Sequence, residues 1–164
     1  MGRLIYGMIQ SADGFTEDAT GRFDWGADAD EEMHAHVAEL MAGVETYLYG
    51  RRIYETMVFW ETAEAMPDLP DGMRAFAAQW RRAEKVVYST TLEEVRSART
   101  RILRRFDPAE VERMKVQARG DLTVDGPTLA AEALRAGLVD EVQLYLAPVV
   151  ASGSGPRDGR RGCG

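Results

Sequence analysis

The stretch Leu122-Thr123-Val124-Asp125-Gly126-Pro127-Thr128-Leu129-Ala130 marks a change from strand to helix. Its first three residues are apolar or β-branched, as in a short buried strand, and the apolar residues after them fit a helix. Proline is favoured at the first position of a helix, and Gly137 is a typical residue just beyond the last one. The stretch therefore predicts a strand over residues 122–124 and a helix over residues 127–136, joined by a tight turn.

The same alternation of strands and helices extends in both directions along the chain. The sequence predicts strands over residues 3–10, 45–49, 85–89, 101–103 and 140–150. Helices are predicted after Asp28, with Met33, Val37, Leu40, Met41 and Val44 on one face, and over about residues 73–80 and 108–117, with a loop over residues 15–27. This order is typical of one α/β domain with a largely parallel sheet covered on both faces.

The composition limits the class of protein. With 164 residues, 45% of them hydrophobic and 29% charged, the chain is ordinary for a single globular domain. The net charge of −7 argues against a nucleic-acid partner. The single cysteine, Cys163, allows neither an intramolecular disulfide nor a four-cysteine zinc site. Because Met1 opens no signal-peptide pattern and no apolar run is long enough to span a membrane, we expect a cytoplasmic protein with no membrane partner.

Four predicted strands end in residues that could bind a ligand. In open α/β sheets, ligands bind beyond the carboxyl ends of the strands. The four segments are Ser11-Ala12-Asp13-Gly14, Gly50-Arg51-Arg52, Ser89-Thr90-Thr91 and Asp125-Gly126-Pro127-Thr128-Leu129. Because all four follow strands, one ligand could touch them together.

Each of these segments also has an ordinary structural interpretation. An acid such as Asp13 could orient or protonate a substrate, but Asp before Gly is a common turn pair. Arg51 and the free amides of the following helix could bind a phosphate, or the arginine could simply be solvated. Hydroxyls after a strand cap the next segment more often than they bind a ligand. Many helices begin as the one after Gly126 does without binding anything.

No motif in the sequence indicates a metal or a nucleophilic site. His34 and His36 are two residues apart on a predicted helix, so they point in different directions and cannot chelate one metal. The patterns HExxH, GxSxG and GxxxxGK[ST] do not occur. We therefore expect chemistry that needs no metal.

Five segments of the sequence, taken together and in order, are specific for one family of proteins. None of the five is specific when taken alone. They are Ile9-Gln10-Ser11-Ala12-Asp13-Gly14, Tyr49-Gly50-Arg51-Arg52-Ile53-Tyr54-Glu55, Lys85-Val86-Val87-Tyr88-Ser89-Thr90-Thr91-Leu92, Gly126-Pro127-Thr128-Leu129-Ala130 and Gly137-Leu138-Val139-Asp140-Glu141. With them the chain resembles the dihydrofolate-reductase-like superfamily, and within it stand-alone proteins similar to the reductase half of the bifunctional riboflavin deaminase–reductase. The resemblance implies a three-layer α/β/α domain over residues 1–150 with a central, mostly parallel mixed sheet.

The resemblance also implies that NADPH lies across the carboxyl edge of this sheet. The residues expected to bind it are Ile9, Gly50, Arg51, Ser89, Thr90, Thr91, Gly126, Pro127, Thr128 and Leu129. By the same resemblance, the isoleucine approaches the nicotinamide and the Gly-Arg pair lies near the phosphates. The three hydroxyls lie near the adenosine-side ribose and its 2′-phosphate, and the last four residues cradle the pyrophosphate. Asp13 stands where these reductases tend to place the catalytic residue that acts on the substrate.

The activity that the resemblance implies is hydride transfer from NADPH to a small heterocyclic substrate. The substrate would be 5-amino-6-(5-phosphoribosylamino)uracil, as in riboflavin biosynthesis, or dihydrofolate. The alternatives are a non-catalytic dinucleotide- or flavin-binding module and a truncated, inactive relative.

Two departures from the family pattern bear on this expectation. Family members often have two glycines where this chain has Asp125-Gly126, and a carboxylate there would repel a pyrophosphate unless it turned away. Residues 151–164 cannot bury apolar surface, so we expect a disordered Gly/Arg-rich tail in place of the family's closing strands. Missing edge strands would expose apolar side chains, which predicts lower stability and a homodimer.

Overall fold

The computed structural model describes residues 1–17 and 31–151, with the side chains of residues 31–35 outside the description. The strands in this part of the chain are β1 (Leu4–Ser11), β2 (Val44–Gly50), β3 (Glu84–Tyr88), β4 (Thr100–Leu103), β5 (Asp121–Asp125) and β6 (Glu141–Ala147). The α-helices are α1 (Glu31–Met41), α2 (Arg51–Met57), α3 (Asp71–Arg82), α4 (Pro108–Gln117) and α5 (Pro127–Arg135). Two short 3-10 helices, Val58–Glu61 and Ala63–Ala65, lie between α2 and α3.

The strands form one sheet in the order β4-β3-β2-β5-β1-β6. Parallel pairing joins β4 to β3, β3 to β2, β2 to β5 and β5 to β1. Consecutive strands are separated by helices at most steps, as parallel connections require. The prediction of an α/β fold with a mostly parallel central sheet is therefore confirmed.

Helices cover both faces of the sheet. On one face, Leu48, Val86 and Val124 pack with residues of α4 and α5, such as Val111 and Ala133. On the other face, a second cluster joins β2 and β3 to α2 and α3. Its buried members are Val44, Tyr47, Tyr49, Tyr54, Trp80, Ala83 and Val87. The layers are thus α/β/α, as expected.

The chain divides into two compact units. One unit comprises Met1–Gly7 and Ala29–Gln143 and holds β2 to β5 with all five α-helices. The other comprises Met8–Asp28 and Leu144–Gly164, of which residues 8–17 and 144–151 are described. The predicted domain over residues 1–150 and the predicted tail over residues 151–164 stay predictions, because residues 152–164 lie outside the described part.

Two predicted boundaries were wrong. Val44 was assigned to the inner face of a helix, but α1 ends at Met41 and Val44 is the first, buried residue of β2. Helical spacing cannot separate the last apolar residue of a helix from the first of a strand, and Gly43 between them was the missed signal. The last strand ends at Ala147 rather than Val150, just before Pro148, which lacks the N–H that a strand pairing needs. The predicted Asp28 cap and most of the predicted 15–27 loop fall on residues 18–30, outside the described part.

The segment after α5 owes its shape to Gly137, as its sequence predicted. Gly137 has a φ of +69°, its N–H donates to the Leu134 carbonyl, and the N–H of Leu138 donates to the Ala133 carbonyl. This is the Schellman arrangement that ends a helix with a left-handed glycine.

Beyond that glycine, a buried lysine holds the chain to the sheet. The Lys115 ammonium donates to the Leu138 carbonyl and to the Asp140 carboxylate, each at 2.8 Å. The same Asp140 carboxylate accepts the N–H of Leu4 at 2.7 Å. These bonds give the Gly137–Glu141 segment a structural role.

Candidate functional site

Three strand ends lie side by side at the carboxyl edge of the sheet. In the parallel register, Gly50 at the end of β2 pairs with Tyr88 at the end of β3, and Tyr49 pairs with Asp125 at the end of β5. The chain then leaves β2 into α2 on one face of the sheet, and leaves β5 into α5 on the opposite face. When the connections after two neighbouring strands run to opposite faces of the sheet, a crevice forms beyond the strand ends. Open α/β folds bind ligands in such crevices.

The Arg51 guanidinium links two of the predicted segments. One of its terminal nitrogens donates to the Thr91 hydroxyl at 2.8 Å, and its Nε donates to the Glu55 carboxylate at 2.7 Å. Both members of the Arg51–Glu55 pair are about half exposed, 47% and 46%. The guanidinium is thus held in a fixed position while much of it faces solvent, as a phosphate-binding arginine requires.

Ser89 is used by the backbone of its own loop. Its hydroxyl oxygen accepts the N–H groups of Thr91 at 3.2 Å and Leu92 at 3.0 Å. The structure therefore shows the capping role for this hydroxyl, while Thr90 and Thr91 are exposed at the turn. Arg104 holds the same loop by donating to the carbonyls of Ser89 and Leu92, at 3.0 and 2.7 Å.

The start of α5 is open to a ligand. Gly126 precedes Pro127 with a φ of +99°, and no side chain caps the helix. Pro127 has no N–H, so the amides of the first turn behind it, at Thr128 and Leu129, are the donors that a helix start leaves without an intrahelical partner. Such a group of donors suits an anion such as a pyrophosphate.

The two glycines at this edge differ in the space around them. A Cβ on Gly126 would lie 3.3 Å from Cγ1 of Ile53 on α2, so the glycine is needed both for its backbone angle and for close packing. A Cβ on Gly50 would meet nothing within 4 Å. Open space beside Gly50 and uncapped amides after Gly126 fit a phosphate group lying along this edge.

The carboxyl group of Asp125 points back along β5, toward Thr123. One carboxylate oxygen accepts the hydroxyl of Thr123 at 2.7 Å. Thr123 is itself buried, at 2% exposure. Removal of the Asp125 carboxylate from solvent raises its pKa to about 7, and the Thr123 hydrogen bond offsets only part of this effect. The titration of this carboxyl group is thus moved from the acid range toward neutral pH.

The remaining predicted site residues, Ile9 and Asp13, belong to the second compact unit. Asp13 is exposed, and its Oδ1 accepts the N–H of Ala151 at 3.0 Å. The turn is closed by the Ser11 hydroxyl, which accepts the N–H of Phe15 at 2.9 Å. Ile9 is partly buried on β1.

Sequence reasoning missed two contributors to the site. Arg104 follows β4 in no recognisable motif, and its role as a loop clamp depends on a strand pairing that the sequence does not encode locally. Thr123 could have been found, because residues two apart on a strand share a face and a hydroxyl there can reach the Asp125 carboxyl.

Other features of the described residues limit the kinds of site. Among the side chains of residues 1–17 and 36–151, no three His, Cys, Asp or Glu are grouped as a metal ion would need. No helix in the same ranges has the length and apolar character needed to cross a membrane.

Comparison with known proteins assigns the family. Residues 3–158 match the model of the RibD C-terminal domain. Because the match spans nearly the whole chain, the protein belongs to the RibD C-terminal domain family. None of the curated proteins matches the chain.

Two solved structures show the same fold. A riboflavin biosynthesis protein from Shewanella sp. PV-4 matches with a TM-score of 0.63 and 19% identity, over 92% of this chain and 80% of its own. The diaminohydroxyphosphoribosylaminopyrimidine deaminase/5-amino-6-(5-phosphoribosylamino)uracil reductase of Thermotoga maritima matches with a TM-score of 0.58 and 12% identity. That alignment covers 92% of this chain and 46% of the Thermotoga protein, so this chain spans about half of its length.

Proposed function

We propose that this protein is an NADPH-dependent reductase that transfers a hydride to a small heterocycle of the ribosylamino-pyrimidine or pteridine type. Membership in the RibD C-terminal domain family supports reductase chemistry. The Thermotoga protein is a 5-amino-6-(5-phosphoribosylamino)uracil reductase by name, which supports a pyrimidine as the substrate. The dihydrofolate-reductase-like fold makes a pteridine the other candidate substrate.

The single observation that carries the cofactor assignment is the 2.8 Å hydrogen bond from Arg51 to Thr91. It joins the β2 and β3 strand ends into one surface, where a half-exposed guanidinium paired with Glu55 lies beside the Thr91 hydroxyl. The uncapped start of α5 follows β5, the next strand in the sheet. A ligand with two separate phosphate groups, a pyrophosphate and a ribose phosphate, would satisfy both features at once.

The bound nicotinamide supplies the hydride, and the protein supplies position and charge. Arg51 and the first-turn amides of α5 would hold the phosphates and thereby align the ring, since correct placement of the reacting atoms provides much of the rate. Asp13, directly or through a water molecule, would hold a proton near the acceptor and so favour its more electrophilic form.

Substitution of Arg51 tests this assignment. In Arg51→Gln, loss of a charge-assisted hydrogen bond of about 1.5–3 kcal/mol should raise the Kd for NADPH about 10- to 100-fold. The preference for NADPH over NADH should fall as well. Titration of nicotinamide fluorescence gives both constants.

The matched control for this experiment is Arg119→Gln. Arg119 is also exposed, but it lies just before β5, at the opposite end of that strand from Asp125. Its substitution should leave both constants unchanged. Equal, small effects of the two substitutions would contradict the placement of phosphates at Arg51.

A non-catalytic dinucleotide-binding module is the second candidate. The observation that favours it is the use of the Asp13 carboxylate as an acceptor for the Ala151 N–H, which is a structural role. Under this alternative NADPH binds tightly, yet no pyrimidine or pteridine tested accelerates its oxidation in single-turnover experiments. Oxidation that depends on such a substrate would exclude it.

A further inference from the structure

Asp125 combines a position at the ligand edge with an environment that disfavours its charge. It is the last residue of β5 and directly precedes Gly126, from which α5 begins. In the parallel register it lies opposite Tyr49, which is 1% exposed. Its carboxylate accepts a hydrogen bond from the Thr123 hydroxyl at 2.7 Å. Within the described residues, no lysine, arginine or histidine pairs with it.

The titratable groups that face this carboxyl are neutral phenols. Tyr47 and Tyr49 on β2, and Tyr6 on β1, each feel its negative charge, which adds to the rise of their own pKa values above 10. The first turn of α5 holds no acidic residue, and on α2 the Arg51 guanidinium is bound to Glu55 and Thr91. Among residues 1–17 and 36–151, no nearby cation therefore balances an ionised Asp125.

We propose that Asp125 makes dinucleotide binding proton-linked: the pyrophosphate binds at the start of α5 while Asp125 is in its neutral, protonated form. This inference rests on the proposed function, which brings a pyrophosphate to that helix start. The carboxyl group points back along β5 toward Thr123, but a negative charge held one residue before the helix would still repel the phosphates through the low-dielectric interior. Protonation removes that repulsion.

The proton balance of the proposed step is simple. When the free protein carries Asp125 as a carboxylate, binding takes up one proton from solvent onto a carboxyl oxygen, and no bond in the ligand is made or broken. Since burial raises the Asp125 pKa to about 7, this uptake falls in the physiological range. By linkage, affinity is constant below that pH and decreases above it, by about tenfold per pH unit at most.

The test is a set of NADPH titrations from about pH 5.5 to about pH 8.5, a range that brackets the shifted carboxyl. The proteins are the wild type, Asp125→Asn and the control Asp121→Asn, which removes a carboxylate from the amino end of the same strand. The 2′-phosphate of NADPH titrates near pH 6, but it does so equally in all three proteins. The ratio of the wild-type Kd to the variant Kd at each pH therefore isolates Asp125.

We expect the wild-type Kd divided by the Asp125→Asn Kd to be constant at low pH and to rise about tenfold or more by the upper end of the range. The wild-type Kd divided by the Asp121→Asn Kd should stay constant throughout. NADPH binding with one common pH profile for all three proteins would overturn this inference and leave the proposed function standing. No saturable binding by any of them, at any pH, would overturn the proposed function together with it.

A second measurement on the wild type guards against misfolding of the variant. Carbon-13 NMR of the aspartate carboxyl groups should show one group that titrates near neutrality, absent in Asp125→Asn, and a further rise in its pKa when NADPH saturates the protein. A group that titrates at an ordinary aspartate pKa, or one that does not respond to NADPH, would overturn the inference.

Discussion

The partly buried carboxyl group of Asp125 ties the stability of the fold to pH. Its pKa is about 7 in the folded protein and 3.8 in the unfolded reference. Between these values the folded state binds more protons than the unfolded state, so the free energy of unfolding falls as pH rises and levels off above the folded pKa. At 1.36 kcal/mol per pKa unit, the total effect is about 4 kcal/mol at most.

Substitution of this residue should therefore remove a pH-dependent loss of stability. We expect the wild type to lose up to about 4 kcal/mol relative to Asp125→Asn between about pH 4 and about pH 8. Urea denaturation at several pH values measures the difference, and other titrating groups cancel because both proteins contain them. Parallel stability profiles for the two proteins would contradict the assigned burial of the carboxyl.

Asp13 is the residue that we expect to act on the substrate. In Asp13→Asn, the amide oxygen can still accept the Ala151 N–H, so the local fold should persist. Loss of the acid should lower kcat by about 10²- to 10⁴-fold while the Kd for NADPH stays unchanged. Steady-state oxidation of NADPH gives kcat, and fluorescence titration gives Kd. An unchanged kcat would assign Asp13 to turn formation alone.

Among the helices and strands, α5 is flanked by two glycines whose substitution should distinguish an effect on stability from an effect on ligand binding. Gly126 has a φ of +99° and Gly137 a φ of +69°. Alanine at either position should cost about 1 kcal/mol of stability, because a left-handed backbone angle strains a residue with a Cβ. Gly126→Ala should also push against Ile53 and move the start of α5.

The expected outcome is a weaker affinity for NADPH in Gly126→Ala but not in Gly137→Ala. Gly43→Ala is the neutral control, because a Cβ there meets nothing within 4 Å. Thermal melts and NADPH titration of the three variants provide the comparison. An affinity that is equally unaffected in all three would argue against a pyrophosphate at the α5 start.

The sequence predicted most elements and fewer of the contacts between them. Local signals were enough for α4, where the Asp107 carboxylate caps the helix by accepting the N–H of Ala109 at 3.0 Å, and for the glycine that ends α5. The sequence left two roles open for the Ser89 hydroxyl, capping of the next segment and binding of a ligand. Its hydrogen bond from the Leu92 N–H, seen only in the folded structure, shows the capping role. Contacts such as Arg51 to Thr91 join residues that are far apart in sequence, so local patterns cannot set their geometry.

At the scale of the whole molecule, β6 presents an apolar row to solvent. Val142, Leu144 and Leu146 alternate along the strand and are 50%, 54% and 66% exposed. A long apolar edge strand of this kind is a common site of association between chains. The expectation of a homodimer formed through this region therefore remains a prediction.

Sedimentation velocity at micromolar concentrations tests whether the protein forms a homodimer through β6. We expect the wild type to associate and a Leu144→Lys/Leu146→Lys double variant to be monomeric. Val116→Lys, which changes a comparably exposed residue on α4, should behave as the wild type does. A wild type that stays monomeric at every concentration would contradict the prediction.

Titration of the wild-type protein with NADPH and, separately, with NADH decides whether a dinucleotide binds at the carboxyl edge of the sheet. Nicotinamide fluorescence or calorimetric heat reports binding, and circular dichroism confirms that the protein is folded. We predict saturable binding of both at pH 6, tighter for NADPH because Arg51 and the exposed hydroxyls of the β3 loop would hold its additional phosphate. A folded protein that binds neither dinucleotide would rule out a dinucleotide site at this edge of the sheet.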